Sequence, residues 1–519
     1  MGPATPNRTL PTLSAVAQRG HAVRQCRTTE NRECIGERGG APATGATGNT
    51  WRYAAVMVEG RSAPATGDIM RILAAMRMQI RLSSRATAAL FALMAVGLLT
   101  VSGAAAETLK VLYSLCSEAG CADGIDPVNG LVRDAQGNLY GETLEGGAHG
   151  VGTVFELYRP PGKTKYKLRV LHDFCSFSDD CGEAGTGPGR GGHLILDTSG
   201  SLYGTAGLGG ANGGGLVFRL TPHHGGKRWS YRALYDFCSA ANCADGESPA
   251  SLTYAGAASG VPYDGTSPLY GVAEFGGANA GGVAFSLKPA QKGPWTEHVL
   301  YEFCSQANCA DGVDPAQELL FDAGGNLYGV ANGGIANDTG VVFKLSPSQV
   351  GKRWTQTVLH AFCSLANCMD GKAPSGGVIM DGAGSLFGVT LFGGNMNQWC
   401  RGGLGCGVLY KIAPDGTQTV LYSFCANGQC PDGDMPSGKL TMDAAGHIVG
   451  TTFSGGEHQD GIAYRFDGSL HVVHSFCLKS GCPDGIEPFD GVIPAEDGSY
   501  FGTAGGGAHG LGIVFNLMP

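Results

Sequence analysis

The stretch LYEFCSQANCADGVDP, residues 300–315, recurs with small changes along this chain of 519 residues. Seven related stretches begin at Leu112, Leu171, Leu234, Leu300, Leu359, Leu421 and Val473. Each holds two cysteines five or six residues apart, and most continue with Asp-Gly and then a proline. A catalytic motif is needed once, so a motif that occurs this often indicates architecture.

One full repeat, residues 316–374, predicts four short strands joined by turns. The strands are ELLFD (318–322), LYGVA (327–331), VVFKL (341–345) and TQTVLHAF (355–362). Short β-branched and aromatic runs bounded by Gly, Asp, Asn and Pro are typical of strands and turns. The first cysteines of successive units lie 59, 63, 66, 59, 62 and 52 residues apart. Four strands at this period predict a propeller blade.

The two ends of the repeating region predict how the ring closes. ETLKVLYSL (107–115) matches a fourth strand, and GIVFNLMP (512–519) matches a third strand. We therefore predict an all-β fold, a seven-bladed β-propeller of four-stranded antiparallel blades closed by the N-terminal strand, which completes the last blade. The alternative is an open solenoid, which would leave both terminal edges unpaired and in need of polar caps.

Three regions follow from the composition of the chain. Residues 107–519 form the propeller, and residues 70–106 form a signal peptide region with the apolar run ATAALFALMAVGLLTV (86–101). A membrane anchor is the alternative reading of this run, but a span needs about 20 apolar residues. Residues 1–69 precede the signal and are interpreted as an artefactual or disordered N-terminal extension.

Charge limits the partners of the propeller. Removing the 12 arginines and 5 acids of residues 1–106 from the chain's 35 basic and 44 acidic residues leaves 23 and 39, a net charge of −16. Such a surface repels phosphate backbones, so nucleic acid is not an expected partner. No second apolar run of spanning length follows the signal. We expect a secreted monomer, periplasmic or extracellular, with no membrane span after signal cleavage.

The cysteines after the signal all fall into close pairs. An even number of cysteines in an exported chain predicts disulfides. The alternative is zinc, which needs four ligands from two neighbouring pairs, and seven repeat pairs cannot all be matched in this way. The predicted bridges are Cys116–Cys121, Cys175–Cys181, Cys238–Cys243, Cys304–Cys309, Cys363–Cys368, Cys400–Cys406, Cys425–Cys430 and Cys477–Cys482.

The whole repeat resembles the GloVer tandem-repeat family of exported bacterial proteins. The resemblance rests on the pattern GNLYG…GG…G-VF-L…VLY-F…DG--P and covers residues 107–519. Some members of that family carry a C-terminal anchoring segment, which this chain does not show. The resemblance implies no established activity.

The loops after strands two and four of a blade emerge on one face, so we expect the glycine loops and the cysteine loops to share it. Function tends to lie on loops held by a rigid scaffold. A polar residue recurs in the glycine loops, and it either satisfies loop backbone groups or forms a binding ring at the axial mouth. These candidates are His149, Asn212, Asn279, Asn337, Asn395, His458 and His509.

Blade 5 departs from the other blades through GGNMNQWCRGGLGCG (393–407), an extended glycine loop with its own cysteine pair. Trp399 and Arg401 lie beside that pair and are candidate binding residues. The alternative is that Trp399 only covers the extension. Blade 3 carries another insert, residues 255–268, on the opposite face, where we expect surface decoration.

The acids of the cysteine loops precede glycine and are predicted to cap turns. Calcium is the alternative, but no loop gives the alternating D-x-D-x-D-G pattern of a calcium site. We expect no metal and no cofactor. The chain contains no Gly-x-Ser-x-Gly elbow, His-Glu-x-x-His motif or phosphate loop, so no catalytic residue can be named. We predict a non-enzymatic binding or scaffold propeller for a glycan or an extracellular protein; the alternative is a carbohydrate-active hydrolase or lyase using acids at the axial mouth.

Overall fold

The computed structural model describes residues 108–175, 185, 187–189, 192–290, 292–333, 339–348, 354–400 and 403–518. All of them belong to one compact unit. The predicted N-terminal extension and signal peptide region lie outside the described residues. So do three of the candidate site residues, which are Cys181, Asn337 and Arg401.

Seven antiparallel sheets form a ring, and each sheet is one blade of a β-propeller. The strands of blade 1 are β2 (Ile125–Pro127), β3 (Val132–Arg133), β4 (Leu139–Glu145), β5 (Thr153–Tyr158) and β6 (Lys167–Asp173). Those of blade 2 are β7 (Ile195–Leu196), β8 (Leu202–Ala206), β9 (Leu216–His223) and β10 (Arg228–Asp236). Those of blade 3 are β11 (Glu247–Tyr254), β12 (Leu269–Phe275), β13 (Val283–Lys288) and β14 (Thr296–Glu302).

The next three blades repeat this order. Blade 4 contains β15 (Leu320–Phe321), β16 (Leu327–Ala331), β17 (Val341–Ser346) and β18 (Thr355–Ala361). Blade 5 contains β19 (Lys372–Met380), β20 (Leu386–Phe392), β21 (Val408–Ile412) and β22 (Gln418–Ser423). Blade 6 contains β23 (Asp434–Met442), β24 (Ile448–Ser454), β25 (Ile462–Phe466) and β26 (Leu470–Ser475).

The seam of the ring lies in blade 7, as the sequence predicts. This blade contains β27 (Ile493–Pro494), β28 (Tyr500–Ala504), β29 (Ile513–Met518) and the N-terminal strand β1 (Thr108–Ser114). Strand β1 pairs antiparallel with β29, with Leu109 opposite Leu517 and Ser114 opposite Ile513. The first and last strands of the repeating region therefore close the propeller, and no blade in the described residues is left one strand short.

Five single 3₁₀ turns lie wholly within the described residues. They are Ala119–Cys121, Ala241–Cys243, Ala257–Ser259, Ala307–Cys309 and Ala366–Cys368. Four of them end at the second cysteine of a pair. Nowhere in the described part of the chain is a helix long and apolar enough to cross a membrane.

The glycine of the repeated LYG motif makes room for the core. A Cβ added to Gly329 would lie 2.7 Å from Cζ of Phe343 and 2.7 Å from Cδ2 of Leu319. The Phe343 ring also packs against Phe303, with ring centroids 5.1 Å apart. Phe303 directly follows β14, the fourth strand of the preceding blade, so this aromatic pair joins two blades. The repeated glycine is required because the aromatic ring occupies the space of a side chain.

A second glycine in six of the seven repeats meets the proline of the next blade. Gly282 has φ +88°, and a Cβ there would lie 2.7 Å from Cδ of Pro315. The same arrangement joins Gly461 to Pro488, again at 2.7 Å. Glycine is needed on both grounds, since the left-handed φ disfavours a side chain and the proline ring fills the space. The G-VF and DG--P parts of the repeat are thus two halves of one contact between blades.

Candidate functional site

The aspartate of each Asp-Gly pair organises its cysteine loop. Asp311 is fully buried. Its Oδ2 accepts hydrogen bonds from the Tyr301 hydroxyl (2.7 Å), the Ser305 amide (2.8 Å) and the Ser305 hydroxyl (2.8 Å). Its Oδ1 accepts a bond from the Gln306 amide at 3.1 Å. Burial alone would raise the pKa of Asp311, but these donors outweigh it and lower the pKa.

In six loops the aspartate accepts a bond from a backbone amide of its own loop, which confirms that these acids cap turns. Four of them, Asp123, Asp245, Asp311 and Asp370, also accept bonds from a serine hydroxyl and a second amide, which is not seen for Asp432 and Asp484 in the described residues. In each loop the aspartate also contacts a tyrosine or histidine ten residues earlier. The pairs are Tyr113–Asp123, Tyr235–Asp245, Tyr301–Asp311, His360–Asp370, Tyr422–Asp432 and His474–Asp484. Most of the loop between blades 1 and 2, residues 176–184, lies outside the described residues.

The structure contains seven of the eight predicted bridges. They are Cys116–Cys121, Cys238–Cys243, Cys304–Cys309, Cys363–Cys368, Cys400–Cys406, Cys425–Cys430 and Cys477–Cys482. Cys175 is also disulfide-bonded, but its predicted partner Cys181 is outside the described residues. Cys304 and Cys309 both adopt left-handed φ values, 56° and 50°. Such values cost non-glycine residues about 1 kcal/mol each, so the bridge holds a conformation that the loop alone disfavours.

Cysteine loops and glycine loops are hydrogen-bonded to each other on one face. The carbonyl of Cys243 accepts bonds from the amides of Gly246 in its own loop and of Gly277 in the glycine loop of blade 3, both at 2.9 Å. On the other side, the amide of Ser248 donates to the carbonyl of Gly214 in the glycine loop of blade 2, at 2.8 Å. Each such loop therefore links the glycine loops of two adjacent blades. We call this surface the cysteine-loop face.

The recurring His and Asn of the glycine loops lie on this face but do not all play the same part. His149, Asn212, Asn279, His458 and His509 are exposed. The amide of Asn279 donates to the carbonyl of Phe303 at 3.4 Å. Asn395 is half-buried and donates to the carbonyls of Ser423 and Phe424, at 3.1 and 3.0 Å. Asn279 and Asn395 thus satisfy backbone carbonyl groups of the neighbouring loop. Asn337 lies outside the described residues.

The blade 5 extension is fastened to the next cysteine loop. Asn397 donates to the carbonyl of Cys425 at 3.0 Å, and the Trp399 amide donates to Oδ1 of Asn397 at 2.9 Å. The Trp399 indole lies near Gly428, because a Cβ there would be 3.6 Å from Nε1. The Trp399 side chain nevertheless remains 45% exposed. The indole is thus held at the surface, and Arg401 lies outside the described residues.

Two disulfides lie side by side beneath this extension. The Sγ atoms of Cys406 and Cys430 are 3.9 Å apart, and all four cysteines of the two bridges are buried. Three of the four sulfurs lie within 4.8 Å of one another, a spacing that could hold a metal ion if they were free thiolates. Zinc binds thiolates, whereas these sulfurs are bridged. The double bridge stiffens the base of the extension.

Exposed apolar side chains are concentrated on the cysteine-loop face. Of the twelve large apolar side chains that are exposed among the described residues, nine lie in its loops or at the adjacent strand ends. They are Leu208, Phe275, Leu365, Met369, Met396, Trp399, Leu404, Leu478 and Phe489. Five of these nine belong to the blade 5 extension or to the cysteine loop before it. We call these five, Leu365, Met369, Met396, Trp399 and Leu404, the blade 5 apolar patch.

A second polar cluster lies at the propeller axis, where the sequence alone did not locate one. Nζ of Lys439 donates to Oε2 of Glu318 at 2.8 Å, although the two residues are 121 positions apart. Nδ1 of His193 lies 3.3 Å from the same Glu318 oxygen, and its Nε2 lies 3.4 Å from Oδ2 of Asp490. These four residues come from blades 6, 4, 2 and 7, so their side chains meet across the axis.

Electrostatics at the axis follow from these pairs. Burial raises the pKa of Glu318, but Lys439 and His193 outweigh it and hold that pKa at about 2. Burial lowers the pKa of His193, yet Asp490 and Glu318 outweigh it and raise the pKa above its ordinary value. The cluster therefore favours a charged His193 and an ionised Glu318.

Glu142 is a buried carboxyl near the same cluster. Its Oε2 accepts a bond from the Asn129 amide at 2.8 Å, and that amide also donates to the carbonyl of Gly189 at 2.8 Å. Burial raises the pKa of Glu142 to about 8, against the opposing effects of Asn129 and His193. Glu142 is therefore largely protonated at neutral pH.

The comparisons with known proteins agree with the repeat pattern. The family model described as the Gloeobacter/Verrucomicrobia repeat matches residues 96–268 and 255–431, which together cover more than half of the chain. None of the curated proteins compared with the chain matches it.

Distant similarity to solved structures concerns sialidases. The Trypanosoma rangeli sialidase in complex with the inhibitor DANA is 9% identical, with a TM-score of 0.35, and the match covers 79% of this chain and 59% of that protein. A second structure of T. rangeli sialidase is 11% identical, with a TM-score of 0.35 and coverage of 70% and 57%. The chain thus spans less than two thirds of the length of these sialidases. We take no activity from them, because identity and TM-score are both low.

Proposed function

The chain belongs to the Gloeobacter/Verrucomicrobia repeat family, and from this premise we propose that it is an exported, non-enzymatic propeller that binds an extracellular protein through its cysteine-loop face. Export is supported by the predicted signal peptide and by the disulfides, which form and persist in oxidising compartments. The place of action is then the periplasm or the exterior of the cell.

The observation that carries this proposal is the blade 5 apolar patch. Isolated apolar residues on a surface are ordinary, but several exposed apolar side chains concentrated in neighbouring loops on a rigid support are typical of an interaction site. Leu404 accepts a backbone bond from Gly393, and the carbonyl of Cys368 accepts one from the neighbouring Gly394. The extension and the preceding cysteine loop are therefore bonded to the same glycine pair, which places the two segments next to each other on this face.

A protein is favoured over a glycan by the kinds of side chain that are exposed. Met and Trp are enriched at protein interfaces, and truncation of a central Trp is often costly. Glycan sites rely more on stacking of several aromatic rings with polar groups around them, whereas this patch has one aromatic ring and four aliphatic or methionine side chains. The exposed His458 of the neighbouring blade 6 would supply a polar contact at the rim of the patch, whereas His149, Asn212 and His509 belong to blades 1, 2 and 7, farther around the same face.

Rigidity of the face suits a binding role. Disulfides and inter-loop hydrogen bonds fix the loops before a partner arrives, so little conformational entropy is lost on association.

The alternative is a carbohydrate-active hydrolase or lyase at the axis, and the charges there favour it less. A general acid needs a pKa near the working pH, and Glu318 is held at a pKa of about 2. Glu142 has a raised pKa, but its carboxyl is buried and does not line the axial cavity. We therefore place binding ahead of catalysis.

A photo-crosslinking experiment tests this proposal. A benzophenone amino acid at position 396 of the exported chain should crosslink a specific protein in the periplasm or medium. The same group at position 261, an exposed valine on the opposite face, should not. The crosslinked protein is then purified for titration calorimetry with the full chain. Trp399→Ala should weaken binding by more than about 1 kcal/mol without changing the melting temperature, and Val261→Ala should leave affinity unchanged.

Two results would count against the proposal. Unchanged affinity in Trp399→Ala together with a sharp fall in melting temperature would make Trp399 a packing residue. A glycan array that detects a sugar ligand lost in Trp399→Ala would keep the site but replace the protein partner with a glycan.

A further inference from the structure

One position of the repeat changes from blade to blade, and it faces the axis. It is the residue directly before the buried Leu or Val of each innermost strand. From blade 1 to blade 7 this position holds Gly130, His193, Ser251, Glu318, Gly377, Lys439 and Gly491. Long polar side chains thus stand in blades 2, 4 and 6, and small residues stand in the blades between them.

Packing at the axis explains the small residues. A Cβ on Gly130 would overlap the imidazole of His193, and a Cβ on Gly491 would overlap the carbonyl of Lys439. The innermost strand of blade 6 is also irregular between Ser437 and Thr441, and Lys439 lies in that irregular segment. Irregularities of this kind re-aim a side chain relative to a regular strand. Gly130 thus makes room for the His193 side chain, and Gly491 lets the backbone at Lys439 approach the axis closely.

The long side chains form the floor of a cavity. His193, Glu318 and Lys439 line a space of about 310 Å³ at the centre of the ring. Its walls are mainly aliphatic and include Leu131, Leu194, Leu252, Tyr254, Ala257 and Val492. Apolar walls with a few placed polar groups, at about this volume, are typical of small-molecule sites.

The cavity opens away from the cysteine-loop face. Its walls follow the innermost strands toward their C-terminal ends, as Tyr254 and Pro494 show. Ala257 belongs to the blade 3 insert, residues 255–268, so this insert forms part of the cavity wall. The sequence-based expectation that this insert is only a surface feature is therefore wrong. Its position relative to the axis depends on the fold and cannot be inferred from neighbouring residues in the sequence.

The floor presents a cation to the cavity. Lys439 is the most exposed charged side chain of the cluster at 35%, against 17% for Glu318 and His193 and 9% for Asp490. An ammonium group has three donors, and one of them is used by Glu318. Asp490 lies deeper, on the far side of His193. A ligand that enters the cavity therefore meets aliphatic walls first and an ammonium group with donors to spare next.

We propose that the axial cavity binds a small amphiphile with an aliphatic body and an anionic head, of which a medium-chain carboxylate is the simplest member. The aliphatic body packs against Leu131, Leu252 and Val492, and the carboxylate accepts hydrogen bonds from Nζ of Lys439. This site is on the face opposite the blade 5 apolar patch and does not depend on the protein partner proposed above.

The test is titration calorimetry of the full chain with decanoate below its micelle concentration. Decanoate should bind at one site, and decyltrimethylammonium, with the same tail and a cationic head, should bind at least about tenfold more weakly. Lys439→Met should weaken decanoate binding at least about tenfold, since a hydrogen bond to a charged group is worth that much or more. Ala257→Trp should block the cavity and abolish binding while leaving the fold intact by circular dichroism.

A matched control separates this site from general adsorption and from the cysteine-loop face. Trp399→Ala should bind decanoate like the wild type, whatever becomes of the protein partner. Equal binding of decanoate to the wild type, Lys439→Met and Ala257→Trp would overturn the site, and so would no binding to the wild type. Preference for decyltrimethylammonium would overturn the anionic head and place Glu318 in contact with the ligand instead.

Discussion

The cysteine loops repeat nearly the same residues around one face, whereas the axial position carries His193, Glu318 or Lys439 in three blades and small residues in the others. In the six described loops the capping aspartate accepts bonds from a backbone amide of the loop and from a tyrosine or histidine ten residues earlier, so each loop supports its blade in a similar way. At the axis each long side chain makes a different contact. The floor of the axial cavity forms only because His193, Glu318 and Lys439 contact one another.

This difference teaches where to look for function in a repeat protein. A residue that recurs in every blade serves the scaffold, as the LYG glycine and the capping aspartate do. A residue that occurs in only one blade cannot have a scaffold role that all blades share, because the other blades fold without it. Trp399 in blade 5 and Lys439 in blade 6 are both of this second kind. Substitutions at repeated positions should therefore lower stability, and substitutions at unrepeated positions should change binding.

The largest expected loss of stability is at the LYG glycine. Gly329→Ala would place a Cβ 2.7 Å from both Phe343 and Leu319 in the core of blade 4. We expect a loss of about 3 kcal/mol or more in the free energy of unfolding, measured by guanidinium denaturation, because a packed core accommodates added volume poorly. The control is Gly382→Ala, at an exposed turn where nothing lies within 4 Å of the new methyl group. If Gly329→Ala and Gly382→Ala were equally stable, Gly329 would not be needed to make room for the Phe343 ring.

The next prediction compares the loss of stability when a capping aspartate is removed from each of the two faces of the propeller. Asp311→Ala on the cysteine-loop face leaves the donors of Tyr301, Ser305 and Gln306 without their acceptor. We expect the free energy of unfolding to fall by about 3 kcal/mol. A buried donor that loses its acceptor costs about 1–3 kcal/mol, and several donors lose theirs in this variant. Asp322→Ala on the opposite face removes bonds from Asn326 and Tyr328, but that site is more exposed and should cost about 1 kcal/mol. A reversed order would mean that the cysteine loops are not the stiffer face.

A pH dependence is expected from the buried Glu142 near the axis. Its pKa is raised from 4.5 to about 8, so the proton stabilises the folded state at low pH, and this contribution is lost as pH rises from about 4.5 through 8. Glu142→Gln should therefore reduce the fall in stability between pH 5 and pH 8 by on the order of 2 kcal/mol.

Denaturation curves at the two pH values measure this effect. The remaining slope should come in part from Glu297, whose pKa burial and Asp245 also raise to about 8. Glu297→Gln in the same background should flatten the profile further. An unchanged slope in Glu142→Gln would show that its carboxylate is charged in the folded protein.

The smallest of these effects concerns a single bridge. Cys304→Ser with Cys309→Ser should lower stability by about 2 kcal/mol, because the bridge closes a short loop in the unfolded chain. Intact mass under denaturing conditions should show eight bridges and no free thiol in the mature wild type. Titratable thiols in the native protein would contradict the bridging. A loss far above 2 kcal/mol would mean that the bridge chiefly holds the left-handed cysteines in place.

Much of the scaffold could be predicted because its contacts are close in sequence. The pair Cys304–Cys309 and the turn cap at Asp311 are local, and short runs of β-branched and aromatic residues predict strands such as Val341–Ser346. The candidate residues of the cysteine-loop face were harder to judge, since exposure depends on neighbours in space. Asn395 and Trp399 lie in one extension, yet the first bonds to backbone carbonyls and the second remains exposed.

The sequence by itself determined the number of blades, the seam between β1 and β29, and the bridges, because each follows from spacing within one repeat or from the two ends of the chain. Only the tertiary structure decided that His193, Glu318, Lys439 and Asp490 meet. These residues belong to four blades, and their distances depend on how the closed ring brings the innermost strands to one axis. The alternation of long polar and small residues at this position can be read from the sequence. That the long side chains contact one another follows only from the closed ring, which places the seven positions around one axis.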